Sequence, residues 1–538
     1  WPRPTDAAYP HGPCLTLPGS VRATSLPEVP TLSLHAPAPA QGHYRPRAAT
    51  NDLKEIVEDS MEELFQSWDT RFRDTYGPLH PRVKGLLEAF VRCGDLHFGF
   101  VRVRCTNPNC HKKDEKLVPF SCKARGVCPS CDQRRAIEWA ERMVEFVLPF
   151  VPYRQLVFTI PIALRKAFLL DRSLYGELCR VAYTSTRDYM REHAPFPARQ
   201  SHAVPAMVVS PQSYGDLVVP HAHCHSVVSL GLFRKDGRYF PMEDIDFSGL
   251  EELFRERFFQ MMLKKEKIRP ETVERFMSWE HSGFNVNFDR KLEADDRAGL
   301  EGLLCYIERP VVSLRRLTYR DDGLVHYQGT KFHPRLGRDH QLVTPVEFLA
   351  MLVPHVLLKY EVTLRSYGAI STTFRRRAGW IERPPVDAPP RLAMASPSST
   401  PGIDDKSRPT APSSSPAHPQ EVPDDLESEF IRARKRGWAK LLAKIWGTDP
   451  GVCKGCGERM KPIAAIGPDQ PEVIERVLRH LKQWDPPWKR QRKARGPPPS
   501  SAASRPVSPG TTGPATIDPV YDDEVYCVDP PADDDSSV

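Results

Sequence analysis

Apolar and polar positions along this chain follow two periods, and the switches between them mark its elements. From Asn51, the residues Leu53, Ile56, Val57, Met61, Leu64 and Phe65 recur at helical spacing and predict an amphipathic helix. Pro81 to Val91 and Gln133 to Val147 predict two more. "YRQLVFTIPIAL" reads as a strand entering a turn at Pro161, with a long helix from Lys166 to about Glu192. The stretch from Ala203 to Phe240 then alternates as strand, turn, strand, Lys-Asp-Gly turn and short strand, an antiparallel meander. Phe247 to about Lys267 returns to helical spacing. Leu300, Leu303, Leu304 and Ile307 sit at i, i+3, i+4 and i+7, the buried stripe of a helix that Pro310 stops. An Arg-rich hairpin follows around Asp322-Gly323. Thr344-Pro-Val-Glu347 is a capping box opening a helix to about Lys359, and "EVTLRSYGAISTTFRRR" gives a strand with a basic stop.

Both ends lack either period. Residues 1–50 are rich in Pro and Ala and read as disordered; 381–423 is a Pro/Ser-rich linker; 485–538 runs from a basic cluster to an acidic tail with no expected fold. Between the last two, 424–484 carries a basic amphipathic helix and a C-x-x-C pair. The expected units are therefore a helical, cysteine-rich domain over 51–145 and a larger domain over 146–380, flanked by these segments. The 55 prolines and a mean hydropathy of −0.46 agree that part of the length is not core. The chain begins at Trp1 rather than Met, which leaves its true start open, and it shows neither a secretory signal nor a membrane-spanning run. A net charge of +7 is modest for 538 residues, so a nucleic-acid surface has to be local.

The candidate chemistry lies in two places. His221, His223 and His225 alternate with Ala222 and Cys224, so an extended backbone puts all three imidazoles on one face, suited to a divalent cation. The 13 cysteines cluster in pairs, which favours metal over disulfides. Cys105-x4-Cys110 and Cys128-x2-Cys131 make two knuckle-like pairs with the spacing of one structural zinc site, in which Cys122 can replace one of the four and His111 is a weaker candidate. Cys453 and Cys456 alone lack two ligands; either His480 supplies one of them or the pair is a remnant. Arg102, Arg104, Lys123, Arg125, Arg134 and Arg135 make the cysteine module basic, as either phosphate contacts or solvated charge. Tyr306, at the edge of its helix stripe near Gly299 and Gly302, reads by itself as an ordinary boundary tyrosine. The two glycines suggest close approach by another group, and Arg309 lies one turn on.

Six blocks, "CKARGVCPSC", "YRQLVFTIPIALR", "HAHCHSVVSLGLF", "CYIERPVVSLRRL", "TPVEFLAMLVPHV" and "TLRSYGAIS", occur in this order. Over roughly residues 55 to 380 the set resembles the rolling-circle transposases of the insertion sequence ninety-one family and its common-region relatives. "GVCKGCGERMKPIAAI" is similar to that family's C-terminal region. The resemblance implies an α+β fold: an HUH (His, hydrophobic, His) endonuclease core with a central antiparallel sheet flanked by helices, preceded by a small zinc-binding domain. The HUH pair falls on His223 and His225 around Cys224, and the catalytic tyrosine on Tyr306. Where many members carry a second tyrosine this chain has Gly302, so it resembles the single-tyrosine branch.

The resemblance further implies a transposase that nicks and joins single DNA strands through a covalent 5′-phosphotyrosine. His223 and His225 would hold Mg or Mn, with His221 or Asp216 as third ligand, and structural Zn would sit in the cysteine module. Its partners would be single-stranded or hairpin DNA at the ends of a mobile element, and target DNA, in the bacterial cytoplasm at the nucleoid. Arg309, Arg315, Arg316, Arg365, Arg375, Arg376 and Arg377 are the candidate backbone contacts. Two rival readings share these residues: a replication initiator with the same nicking chemistry, and a zinc-dependent DNA-binding protein without catalysis.

Overall fold

A computed structural model describes residues 51–380, 452–485 and 495–496, apart from 113, 196–197, 200–201, 280–282 and 334–335. The expected disordered segment 1–50, the linker 381–423, the basic helix before residue 452 and nearly all of the tail lie outside the described residues. The fold is α+β, with antiparallel sheets and flanking helices. Among the described residues no helix is long and apolar enough to cross a membrane.

The central sheet has six strands, in the order Arg365–Gly368, Ala206–Tyr214, Pro220–Ser229, Tyr153–Thr159 and Asn285–Asn287, with Lys291–Leu292 also pairing Tyr153–Thr159. The histidine strand Pro220–Ser229 is thus interior, as expected, but its second neighbour is not the strand that follows it. Gly231–Phe233 and Tyr239–Pro241 form a separate two-stranded ribbon, and the earlier strand Tyr153–Thr159 takes the place beside the histidines.

Alternation along the histidine strand separates two cores. Ala222, Cys224 and Val228 face the helices Leu174–His193 and Leu250–Lys264, in a core with Phe158, Phe254 and Phe258. The opposite face meets the helices Pro129–Phe146 and Arg297–Ile307, with Val208, Val227, Leu300, Leu303, Leu304 and Ile307 packed together. Leu303 and Leu304 are fully buried, each contributing about 1.5–3 kcal/mol.

A further core joins the helix Asp52–Arg71 to Pro345–Leu352 and to the sheet of Leu317–Tyr319, Val325–His333 and Arg338–Val343, so it takes in residues on both sides of position 145. Asn51 caps the first of these helices through Lys54 N, and the Thr344–Glu347 capping box is formed. The helix after the box ends at Leu352, short of Lys359, because Pro354 has no N–H to continue it and a short 3-10 turn takes over. The expected long helix is two, Ile162–Leu170 and Leu174–His193; between them Asp171 turns its carboxylate onto Ser173 N (3.0 Å) and Oγ (2.6 Å).

Candidate active site and cysteine clusters

Register fixes what surrounds the histidines. His223 is opposite Thr159 on one side and Gln212 on the other; His225 is opposite Val157 and Ser210. Directly opposed residues share a face, so these side chains stand on the side covered by the helix Arg297–Ile307. His223 and His225 are buried and their Nε2 atoms lie 3.0 Å apart. His223 Nδ1 lies 2.9 Å from the carbonyl of His221, which can only accept; the proton therefore sits on Nδ1, and Nε2 faces the Nε2 of His225. Gln155 approaches His225 Nδ1 at 3.4 Å. The His221 ring lies against that of His223, with centroids 4.4 Å apart.

Tyr306 occupies the last turn of the helix that closes this face. Its ring stands perpendicular to the His225 imidazole, centroids 5.7 Å apart at 82°. The Arg309 guanidinium lies over the face of the Tyr306 ring, 4.7 Å from its centroid.

Both ends of the tyrosine helix are anchored. Arg297 donates to the carbonyls of Val144, Leu148 and Pro149 at the end of Pro129–Phe146, and Asp296 caps Gly299 N at 2.8 Å. The close approach expected at Gly299 is made by that cap: a Cβ there would come 2.1 Å from Asp296 Oδ2. At the other end Ser210 Oγ (3.1 Å) and Gln212 Nε2 (3.0 Å) donate to Ile307 O, and Tyr214 Oη to Arg309 O at 2.7 Å. Three alternate residues of one strand thus hold the chain on both sides of Glu308. The Glu308 carboxyl lies near Ser210 and Thr363, and burial raises it above its usual range. It lines a cavity of about 60 Å³ with Arg125, Arg135 and Gln212.

The candidate DNA contacts are dispersed. Arg375, Arg376 and Arg377 lie on the short helix Thr372–Arg377, whose Phe374 joins the same core as Tyr306. Arg315 is exposed in the turn that precedes the strand Leu317–Tyr319. Arg316 is committed to the fold through Asp216 Oδ1 (2.7 Å) and Tyr327 Oη (3.1 Å). Asp216 Oδ2 accepts Thr330 N at 2.6 Å, so Asp216 belongs to that network and not to the histidine cluster. Arg365 is opposite Val209, hence on the sheet face away from the histidines, against Gly176.

The cysteines are regrouped by the fold. Cys105, Cys110, Cys128 and Cys131 do not form one site. Cys128 and Cys131 converge with Cys93 and Cys122; Cys105 and Cys110 converge with Cys453 and Cys456. Among the described residues these are the only groups of three or more potential metal ligands, and His111 and His480 belong to neither. In the first quartet the Sγ separations are 3.6 Å for Cys93–Cys131 and Cys122–Cys131, and 3.8 Å for Cys93–Cys128. Four sulfurs about 2.3 Å from a tetrahedral zinc ion stand about 3.8 Å apart, so the quartet fits zinc. Cys93 was missed because it has no partner at knuckle spacing; the one local sign is Gly94, whose φ of 75° turns the chain as a knuckle does.

The family model described as "Transposase zinc-binding domain" matches residues 64–160, which include the whole first quartet. The model described as "Putative transposase" matches residues 207–378, which include the histidine strand and Tyr306. The transposase for insertion sequence element IS801 of Pseudomonas savastanoi pv. phaseolicola is 21% identical over 395 residues, covering 70% of this chain and 82% of that one. No solved structure is a significant match. Zinc-binding similarity and quartet geometry together support structural zinc.

Proposed function

We propose that this chain, a transposase of the insertion sequence ninety-one family with an N-terminal zinc-binding domain, cleaves and rejoins single DNA strands with Tyr306 as nucleophile. The observation that carries the reading is the packing of Tyr306 against His225, in a pair of histidines whose Nε2 atoms are 3.0 Å apart. Two ligands about 2.1 Å from one ion at the right angle of an octahedron are separated by about 3.0 Å, so His223 and His225 fit adjacent positions on Mg or Mn. Such a cation would polarise the scissile phosphate and align it for in-line displacement. Of the two candidate third ligands, Asp216 is held elsewhere, which leaves His221, whose ring lies against that of His223.

The Tyr306 oxygen forms the new bond to phosphorus as the bond to the 3′ oxygen breaks, and the proton that the phenol loses is balanced by the one that the departing 3′ oxygen takes up from solvent. The products are a 5′-phosphotyrosine and a 3′-hydroxyl. Attack by another 3′-hydroxyl reverses the step and joins strands with no external energy source. Arg309 packs on the face of the Tyr306 ring, and the anchors from Ser210, Gln212 and Tyr214 keep the nucleophile at the histidines. One tyrosine on the helix, with Gly302 a turn earlier, supports a single-nucleophile cycle. The substrates would be single-stranded or hairpin DNA at element ends, because a phosphodiester inside a duplex does not reach a half-buried phenol.

The test is incubation of the full chain with Mn and single-stranded oligonucleotides from the element's end. A covalent protein–DNA adduct is expected in wild type and absent in Tyr306→Phe. No adduct in wild type, or an equal one in Tyr306→Phe, overturns the assignment.

A further inference from the structure

We propose that Cys105, Cys110, Cys453 and Cys456 hold a second zinc ion, which fastens the segment 452–485 onto the N-terminal module. Each pair is half of a site: Cys105-x4-Cys110 lacks two ligands, and so does Cys453-Lys-Gly-Cys456. The fold brings them together across 343 residues, with Cys110 Sγ 3.7 Å from Cys453 Sγ and Cys105 Sγ 3.6 Å from Cys456 Sγ. These are edges of a zinc–thiolate tetrahedron, about 3.8 Å, and far from the 2.05 Å or so of a disulfide. Cys105, Cys110 and Cys453 are no more than 4% exposed and Cys456 is half-buried, so four thiols fill the coordination shell with little access for water, as in a structural zinc site.

The second pair is shaped as a metal knuckle. Gly455 N donates to Cys453 Sγ at 3.3 Å, and a Cβ on Gly455 would come 2.8 Å from Lys112 Cβ and 3.2 Å from Cys110 Sγ. Only glycine lets the two halves close without displacement. Around the quartet, Lys116 Nζ donates to Val452 O at 3.1 Å.

The ion would secure a graft that is otherwise thinly held. Lys461–Ile466 adds as a third strand to Phe100–Arg104, which without it is the edge of a two-stranded hairpin. The helix Pro471–His480 places Ile474 and Leu478 on Phe100, in a core of four buried residues. So small a core has to offset the entropy of closing a very long loop, a cost that grows with the logarithm of loop length. Metal binding that exists only when both halves meet supplies the missing stabilisation. The zinc-binding similarity stops at residue 160 and the second matched region at 378, so neither includes Cys453 or Cys456.

The proposal does not depend on Tyr306 or the histidines, and its test needs no DNA. Zinc is quantified per chain in the full-length protein, and hydrogen exchange is followed in residues 461–466 and 100–104. Two zinc ions are expected in wild type. One is expected in Cys453→Ser/Cys456→Ser, with faster exchange in both strands and unchanged protection in Pro220–Ser229. The reciprocal pair Cys105→Ser/Cys110→Ser, expected to give the same loss, guards against a folding defect peculiar to one variant. Two zinc ions retained in either variant, a single ion in wild type, or a disulfide among these four residues on non-reducing mass spectrometry overturns the proposal.

Discussion

Gln212 donates to the carbonyl of Ile307 at 3.0 Å, so the residue after Tyr306 is fixed by the strand that pairs with the histidines. Gln212→Leu removes that donor and weakens the register between nucleophile and metal ligands. Expected are a stability loss of about 1–2 kcal/mol and a fall of roughly tenfold or more in the single-turnover rate of adduct formation, with oligonucleotide affinity unchanged. Rate and affinity are measured separately; an unchanged rate would show that this contact does not position Tyr306.

Cys131 lies in the first turn of Pro129–Phe146, the helix that receives the Arg297 contacts from the base of the tyrosine helix. The first cysteine quartet is therefore part of the foundation of the candidate active site. Cys93→Ser is expected to lose one zinc ion, to lower stability by on the order of several kcal/mol, and to abolish adduct formation. Zinc content and thermal unfolding check this. Retention of zinc would mean that Cys93 is no ligand.

Much of this was legible from residue patterns, and the misses share a cause. The period-two histidines placed their own strand and put His223 and His225 on one face of it, since alternation is local. The stripe Leu300, Leu303, Leu304, Ile307 placed the helix that carries Tyr306. Spacing could not say which cysteine pair meets which. Cys105-x4-Cys110 and Cys128-x2-Cys131 are close in sequence, yet each closes with cysteines elsewhere, one pair 343 positions away. In the same way the strand Tyr153–Thr159 displaced the expected neighbour of the histidines, and Arg365 alternated onto the wrong face for a contact at the site. Tertiary pairing decides these, and no local period encodes it.

Arg315 and Arg316 are adjacent but differ in what they do. Arg316 and Asp216 are mostly buried together, 17% and 14% exposed, whereas Arg315 is exposed. Arg316→Gln is expected to cost about 1–3 kcal/mol of stability and to leave the salt dependence of DNA binding unchanged. Arg315→Gln is expected to leave stability unchanged and to reduce the slope of log K against log salt by about 1. Chemical denaturation and a salt titration of oligonucleotide binding separate the two; the opposite pattern would exchange their roles.

His355 ties acid sensitivity to the same region. It is buried, with Nε2 3.2 Å from Val218 O and Nδ1 2.9 Å from Ser213 Oγ. The carbonyl can only accept, so the proton is on Nε2, Nδ1 accepts from the Ser213 hydroxyl, and the ring is neutral. Burial lowers its pKa from 6.5 to about 3, with the Arg172 charge acting in the same direction. The unfolded chain takes up a proton near 6.5 that the folded one refuses until about 3. Stability from this residue is therefore fully present above pH 6.5 and is lost as pH falls toward 3, at up to about 1.4 kcal/mol per pH unit. His355→Gln removes the titration and is expected to flatten the fall in urea-unfolding free energy between pH 6.5 and 4 relative to wild type. Other acid-sensitive groups contribute to both proteins, so the difference in slope isolates His355. Equal slopes would mean that the imidazole gains a charge partner in the folded state.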